Sequence, residues 1–436
     1  MKSLMCAVIG AIALLAAGHV LAETTLTIAT VNNGDMIRMQ GLTSDFTAKN
    51  PGIAVKWVTL EENVLRQRVT TDIATKGGQF DVLTIGTYEV PIWGKQGWLL
   101  PLEKLGAGYD TNDLLAPIRA GLTINGKLYA VPFYGESSMT MYRKDLFEKA
   151  GLSMPPNPTW DFIAGAAKKI TDRTSETFGV CLRGKPGWGE NMALLTAMAN
   201  AFGARWFDEK WQPEFTGPEW KKTLSFYVEL MKAAGPPGAS TNGFNENLAL
   251  FNSGKCGVWV DATVAASFVT NRKESKVADK VGFALAPNAG LGKASNWLWA
   301  WSLAIPASSK KIEAAEKFVT WATSKEYLAL VASKEGWANV PPGTRKSLYD
   351  NPEYQKAAPF AKVTLESIST ADPIRSTVKP KPYVGVQFAA IPEFQGIATS
   401  VGQQFAAALT GTTAIDAALA SAQTLTEREM SRAGYK

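Results

Sequence analysis

Histidine is almost absent: the chain of 436 residues holds one, His19. Its position decides what the shortage means. Lys2 is followed by an apolar and small-residue run over residues 4–18, then by Val20-Leu21-Ala22 ahead of Glu23. A positive charge, a short apolar stretch and small residues at a cleavage point, in that order, predict a secretory signal over residues 1–22. The exported chain then has no histidine, the commonest general base and transition-metal ligand. Ser-His-Asp and Cys-His catalysis are excluded, and a zinc site of the usual ligands is not available. Cysteine is nearly as scarce. Cys6 leaves with the signal and lies upstream of the cleavage point, where a lipid anchor has no use for it. This predicts a soluble periplasmic protein with Cys181 and Cys256 as its remaining thiols. In an oxidising compartment they form either a bridge or two separate buried thiols.

Other absences narrow the class further. No later apolar run reaches the roughly 18 residues of a membrane span. Arginine and lysine never run together in a long block, and a net charge of +6 is mild for this length, so a nucleic-acid partner is not expected. There is no phosphate-binding loop: Gly290-Leu291-Gly292-Lys293-Ala294-Ser295 lacks the first glycine and the hydroxyl after lysine. No nucleophile elbow or calcium loop is present either. Neither an enzyme nor a cofactor is expected. What the chain does have is 46% hydrophobic and 19% charged residues, the balance of a large globular protein of about two domains. It also has 14 tryptophans, several in polar, loop-like settings that suit ligand stacking.

Strand-like and helix-like segments alternate. Leu26-Thr27-Ile28-Ala29-Thr30 reads as a strand, residues 36–49 as a helix, 53–60 as a strand, 64–74 as a helix and 80–85 as a buried strand. That order predicts a doubly wound α/β domain. Ligands lie beyond the carboxyl ends of such strands, which places Asn32, Asn33 and the Thr87-Tyr88-Glu89 loop together. Asn125-Gly126 signals a hairpin, and Pro132 reads as the end of its second strand. Thr159 reads as a helix cap. Residues 178–182, 256–260 and 297–305 read as strands.

The order of Phe46-Thr47-Ala48-Lys49-Asn50-Pro51-Gly52-Ile53, Phe80-Asp81-Val82, Gly126-Lys127-Leu128-Tyr129-Ala130-Val131-Pro132, Tyr142-Arg143-Lys144-Asp145-Leu146-Phe147, Phe251-Asn252-Ser253-Gly254-Lys255-Cys256-Gly257-Val258 and Trp301-Ser302-Leu303-Ala304-Ile305-Pro306 resembles family 1 of the extracellular solute-binding proteins of ABC sugar importers. Glu61-Glu62-Asn63-Val64-Leu65-Arg66-Gln67-Arg68, Ile85-Gly86-Thr87-Tyr88-Glu89 and Trp297-Leu298-Trp299-Ala300-Trp301 look like its sorbitol/mannitol-binding branch. The resemblance implies a two-lobed α/β periplasmic-binding-protein fold of type II. Residues 23–132 and 306–350 would form the N-terminal lobe, and 133–305 and 351–436 the C-terminal lobe. Crossings would fall at residues 129–132, at 301–306 and near 345–360. It further implies a monomer that closes on a neutral polyol and docks on membrane permease subunits.

Within that frame Glu136, just past the first crossing, offers a carboxylate to hydroxyls, and Arg183 offers five donors. Trp188 sits in a glycine-rich loop, and Asp261 closes a strand or caps the next helix. Trp297, Trp299 and Trp301 alternate and so share one strand face. Asn33, Glu61, Thr87 and Tyr88 join them from the first lobe. Trp337 and Arg375 join from loop-like segments near the end of the chain. Two other readings remain at this level. Glu136 and Asp261 could pair as the carboxyls of a glycoside-cleaving enzyme, or the aromatic residues could cage a quaternary ammonium solute.

Overall fold

The structure, a computed structural model, describes residues 23–435; the expected signal segment, with Lys2, Cys6 and His19, lies outside the described residues. Thr24–Val31 forms β1, an apolar strand whose inward residues are buried. Gly34–Gly41 (α1) and Thr43–Lys49 (α2) follow. The single helix expected here is interrupted at Leu42, beside the weak helix former Gly41. Ile53–Leu60 (β2) runs parallel to β1 from Thr24↔Ile53 to Val31↔Leu60. Glu62–Ala74 (α3), Val82–Gly86 (β3) and Glu89–Lys95 (α4) complete the first βαβ units. Asn125 and Gly126 both take positive φ, 49° and 79°, as a tight hairpin requires between Thr123–Ile124 (β4) and Lys127–Leu128 (β5).

Then come Val131–Glu136 (β6), Ser138–Arg143 (β7), Phe178–Cys181 (β8), Cys256–Ala262 (β9), Val281–Leu285 (β10) and Trp299–Ala304 (β11). The N-terminal lobe carries a five-stranded sheet in the order β2-β1-β3-β11-β6, and the C-terminal lobe a four-stranded sheet, β10-β7-β9-β8. Helices flank both. Among them Asn191–Phe202, Pro218–Ala234 and Phe394–Thr410 pack together in the C-terminal lobe. No helix of the described residues is long and apolar enough to cross a membrane.

Sheet membership moves two of the expected lobe boundaries. Pro132 does not end a strand but lies inside β6, and residues 133–136 stay in the N-terminal sheet. A proline is tolerated there because β6 is an edge strand and Ser302↔Pro132 adjoins a register shift at Trp301/Ser302. β11, expected in the C-terminal lobe up to residue 305, is inserted antiparallel between β3 and β6 of the N-terminal sheet. The first two crossings therefore fall at Ser137 and just before Trp299. They are knotted together: Ser137 exchanges hydrogen bonds with Thr263, its N–H donating to Oγ1 at 3.2 Å and its carbonyl accepting from N–H at 2.8 Å. The Ser137 hydroxyl also accepts from the Trp297 N–H at 3.2 Å. Tyr349 belongs to the N-terminal side, its hydroxyl accepting from the Gly343 N–H. Helix Ala361–Ser369 packs on β7 and β10 and also on β6 and the helix Lys346–Tyr349, so it touches both lobes.

Cys181 and Cys256 are joined as a disulfide linking β8 to β9, with Cα atoms 5.9 Å apart and a separation of 75 positions in the chain. Closing so long a loop restricts the unfolded chain. Thiol titration of the denatured, unreduced protein is expected to find no free thiol. The double variant Cys181→Ser/Cys256→Ser is expected to lose about 2–5 kcal/mol in denaturant unfolding. An unchanged midpoint would show that the bridge contributes nothing.

Candidate functional site

The carboxyl ends of β1, β2 and β3, the last turn of β6 and the start of β11 converge on the gap between the lobes. A small cavity lies there; the space between atoms around it, including what is open to solvent, comes to about 430 Å³. From the N-terminal lobe its walls are Asn33, Glu62, Arg66, Tyr134, Glu136, Trp299 and Trp301. From the C-terminal lobe and the crossings come Arg183, Trp188, Gly189, Phe244, Val264, Trp297 and Gln387.

Arg66 is 5% exposed and is the centre of the aromatic wall. Its guanidinium carbon lies 4.0 Å from the ring centroid of Trp188, 4.9 Å from Trp299 and 4.7 Å from Trp301. Nε and Nη2 donate to Glu62 Oε1 at 3.0 and 2.8 Å, and Nη1 donates to Glu89 Oε1 at 2.6 Å. The indoles meet edge to face: Trp188–Trp299 at 5.5 Å and Trp299–Trp301 at 5.4 Å, the favoured aromatic geometry. Gly86 permits this packing, since a Cβ on it would stand 1.9 Å from the Trp299 ring.

Arg183 is the second buried guanidinium. Nε and Nη2 grip Asp261, with Nη2 2.6 Å from Oδ1, while Nη1 donates to the Gly189 carbonyl at 2.8 Å and approaches Glu190 at 3.4 Å. Asp261 also accepts from Trp259 Nε1 and from the Ala262 N–H. Beside these saturated pairs, Glu136 is buried yet makes no side-chain hydrogen bond among the described residues. Burial pushes its pKa up to about 8, against the pull of Arg183 and with the repulsion of Asp261 and Glu62 added. Burial likewise raises Glu190 to about 8, eased by Arg183. Asn33 Nδ2 donates to the Tyr134 hydroxyl at 3.0 Å, and the buried Trp188 Nε1 has no partner among the described residues. Among the described residues no group of His, Cys, Asp and Glu is placed to hold a metal ion.

Of the residues expected at the site, Asn33, Glu136, Arg183, Trp188, Trp299 and Trp301 line the cavity, as does Trp297, which precedes β11 rather than sharing its strand face. The others stand elsewhere. Glu61 caps α3, accepting from the Asn63 and Val64 N–H groups, and its other oxygen takes Lys185 Nζ of the opposite lobe at 2.7 Å. Tyr88 is one layer behind, 4.9 Å from Trp188, with its hydroxyl donating to the Ile391 carbonyl across the lobes. Thr87 lies against Gly121 and faces a separate surface groove. Asp261 has 0% exposure behind Arg183 and neither meets the cavity nor caps a helix. Trp337 is half-buried in the turn Trp337–Asn339, off the cavity wall. Arg375 is 83% exposed and held by Asp372 on a surface turn. It is not at the cavity because Asp372 Oδ1 also accepts the Ile374 and Arg375 N–H groups, which closes that turn on itself.

Glu62, Arg66 and Tyr134 were not foreseen. Their signal was in the sequence. Glu62 and Arg66 are four apart on the helix that leaves β2 and so share a face. Tyr134 is two before Glu136 on one strand and so shares its side of the sheet. What hid Glu62 was the choice between adjacent acids: once Glu61 takes the cap, Glu62 turns inward.

The lobes are closed over this cavity. Besides Glu61–Lys185, Asn63 Nδ2 donates to the Pro186 carbonyl at 3.2 Å. A Cβ on Gly189 would sit 1.9 Å from Glu62 Oε1, and one on Gly34 2.3 Å from the Phe268 ring. Each approach brings one lobe onto the other.

Glu136 and Glu190 hold a proton more tightly in this folded form than in the unfolded chain, where glutamate titrates near about 4.3. Between about pH 4.5 and 8 the folded form binds more protons, so their contribution to stability is full on the acid side and lost as pH rises through about 8. The melting temperature of Glu136→Gln, relative to the parent, is expected to be higher at about pH 8.5 than at about pH 5. Parallel melting curves across that window would show that Glu136 ionises as if in water.

Residues 33–329 match the family model described as bacterial extracellular solute-binding protein. A mannitol-binding protein of Pseudomonas aeruginosa is 61% identical over 434 residues, which is 100% of this chain and 98% of that protein. A crystal structure of an ABC-transporter solute-binding protein of Agrobacterium vitis with bound D-mannitol is 75% identical. It superposes with a TM-score of 0.94 over 94% of this chain and 99% of that one. A ribitol complex of a solute-binding protein from Agrobacterium radiobacter, at 24% identity, a TM-score of 0.82 and the same shares of the two chains, has the same fold.

Proposed function

Because the chain belongs to the bacterial extracellular solute-binding proteins, we propose that it is the periplasmic binding component of an ABC importer and that it closes on a linear polyol of the mannitol and sorbitol type. It binds its solute and does not convert it. The observation that carries the ligand class is the pairing of two surfaces in one small cavity. One is the indole wall of Trp188, Trp299 and Trp301. The other is a set of polar groups with hydrogen-bonding capacity to spare, Glu136, Trp188 Nε1 and Tyr134. A hexitol has C–H groups for the former and a hydroxyl on every carbon for the latter. The D-mannitol complex at 75% identity supports the same class.

Every cationic group in the wall is already paired with a carboxylate, Arg66 with Glu62 and Glu89, and Arg183 with Asp261. An anionic ligand finds no free cation, and a quaternary ammonium finds the aromatic faces occupied by Arg66. A glycoside-cleaving pair is disfavoured too, because Asp261 is consumed by Arg183. Hinge motion about Ser137 and the other crossings opens and closes the cavity, and the loaded closed form is what the permease subunits distinguish from the empty one. The chain acts as a monomer, exported and untethered, with no nucleic-acid role and no cofactor.

Calorimetry is expected to show binding of D-mannitol, sorbitol or arabitol with little salt dependence and a change in tryptophan emission. Trp299→Ala and Glu136→Ala are each expected to weaken it at least about tenfold, or about 1.4 kcal/mol. No product is expected on prolonged incubation. Heat with a charged solute and none with any hexitol or pentitol would overturn the ligand class. Hexitol binding unchanged in both variants would overturn the placement of the site.

A further inference from the structure

Glu89 belongs to no wall of the cavity, yet it touches what holds that wall. It is 2% exposed and opens α4. Its two oxygens do different things. Oε1 accepts from Arg66 Nη1 at 2.6 Å, and Oε2 accepts from the Gly86 N–H at 2.8 Å. Gly86 ends β3, pairs with Trp301 in the ladder, and is the residue on which the Trp299 ring lies. Arg66 in turn lies within 4.9 Å of the centroids of Trp188, Trp299 and Trp301. One carboxylate therefore ties the backbone under Trp299 to the guanidinium plate against which the indoles stack.

We propose that Glu89 is a positioning residue that sets the width of the binding slot, by locking Arg66 between the indoles, and so selects an extended acyclic chain over a ring sugar. The selection of acyclic over cyclic solutes rests on the polyol reading above; the locking of Arg66 does not. Glu62 alone does not fix the guanidinium. It comes from the same helix four residues earlier, and both of its contacts use the single oxygen Oε1. A plate held on one edge can swing about that edge. Glu89 supplies the opposite edge from a different element. With the plate fixed, the indoles cannot part to admit a six-membered ring, whose cross-section exceeds that of a zigzag carbon chain.

Glu89→Gln is a sharp test because shape is kept and chemistry is not. Glu89 faces two donors with two acceptor oxygens, whereas glutamine has one oxygen and an NH₂ group. One of the two contacts must become donor against donor, and the charge opposite Arg66 is lost. Trp299 and Trp301 are close and steeply inclined, 5.4 Å and 83°, so their transitions couple and give a paired circular-dichroism band, taken as the part lost in Trp299→Phe because Trp206 and Trp220, 6.0 Å apart at 84°, contribute their own. That band needs no ligand.

In Glu89→Gln the band of the ligand-free protein is expected to fall by half or more while far-ultraviolet dichroism and cooperative unfolding are retained. The ratio of D-mannitol to D-mannose affinity is expected to fall at least about fivefold. Glu89→Asp, which keeps the charge and both acceptors, is expected to restore at least half of the lost band. A purely structural role would lower the melting temperature and weaken both ligands alike, leaving ratio and band as in the parent, and that result would overturn the proposal. If Glu89→Gln does not fold, Glu89→Ala is read on the same two quantities: a fall in both is expected, and parent values of both would overturn the proposal. A parent that binds no polyol would sink the ligand class, while the dichroism band would still decide whether Glu89 positions Arg66.

Discussion

Two guanidinium groups buried at the floor of a cleft impose the main constraint on this molecule. An isolated charge taken out of water costs several kcal/mol, so each must bring its own compensation. Arg183 does so within the C-terminal lobe, through the doubly bonded Asp261 and the Gly189 carbonyl. Arg66 does so within the N-terminal lobe, through Glu62 and Glu89, and adds three indole faces. Each lobe thus presents a neutralised charged centre rather than a bare one. Removing one partner of either pair leaves the other charge buried and is far more disruptive than removing both. The same constraint explains why Glu136, which has no such partner, is pushed toward the neutral form.

Closure depends on the same groups. Glu62 reaches Gly189 of the other lobe, and Trp188 from that lobe covers Arg66. The centre that neutralises one half of the site is completed by the other. Around the rim the contacts are weaker and wetter. Lys185 and Glu61 retain 25% and 33% side-chain exposure, so solvent screens this pair and it adds little net stability. It fits a latch better than a clamp. Tyr88 and Ile391, by contrast, are buried, and the hydrogen bond between the Tyr88 hydroxyl and the Ile391 carbonyl is shielded from solvent.

The fold puts these residues where they are needed by a small topological device. β11 returns from the C-terminal lobe and is inserted between β3 and β6. It carries Trp299 and Trp301 to lie beside Gly86 on one side and Tyr134 and Glu136 on the other. The aromatic and polar walls are therefore neighbours in one sheet, with their relative positions set by ladder hydrogen bonds rather than by loops. Glycines at 86, 135 and 189 are conditions of that arrangement. A Cβ at each would stand 1.9 Å from the Trp299 ring, 2.2 Å from the Gly343 carbonyl and 1.9 Å from Glu62 respectively.

Local pattern alone determined the α/β class, the shared strand face of Trp299 and Trp301, the Asn125-Gly126 hairpin and the helix cap at Thr159, whose hydroxyl accepts the Phe162 N–H. These follow from chain geometry, because strand and helix periods and turn chemistry act over a few residues. The lack of histidine outside the first 22 residues removed most catalytic readings on composition alone. What the sequence did not determine are choices between neighbours and pairings at long range. Glu61 and Glu62 are chemically alike, and only the end of β2 decides which one caps α3 and which one meets Arg66. Asp261 looked free until Arg183, 78 positions away, claimed both its oxygens. Arg375 looked available until a turn closed on Asp372. Whether the cysteines met, and which lobe owned β11, were decided the same way. Long-range pairing depends on which surfaces pack together, and no short stretch of sequence contains that information.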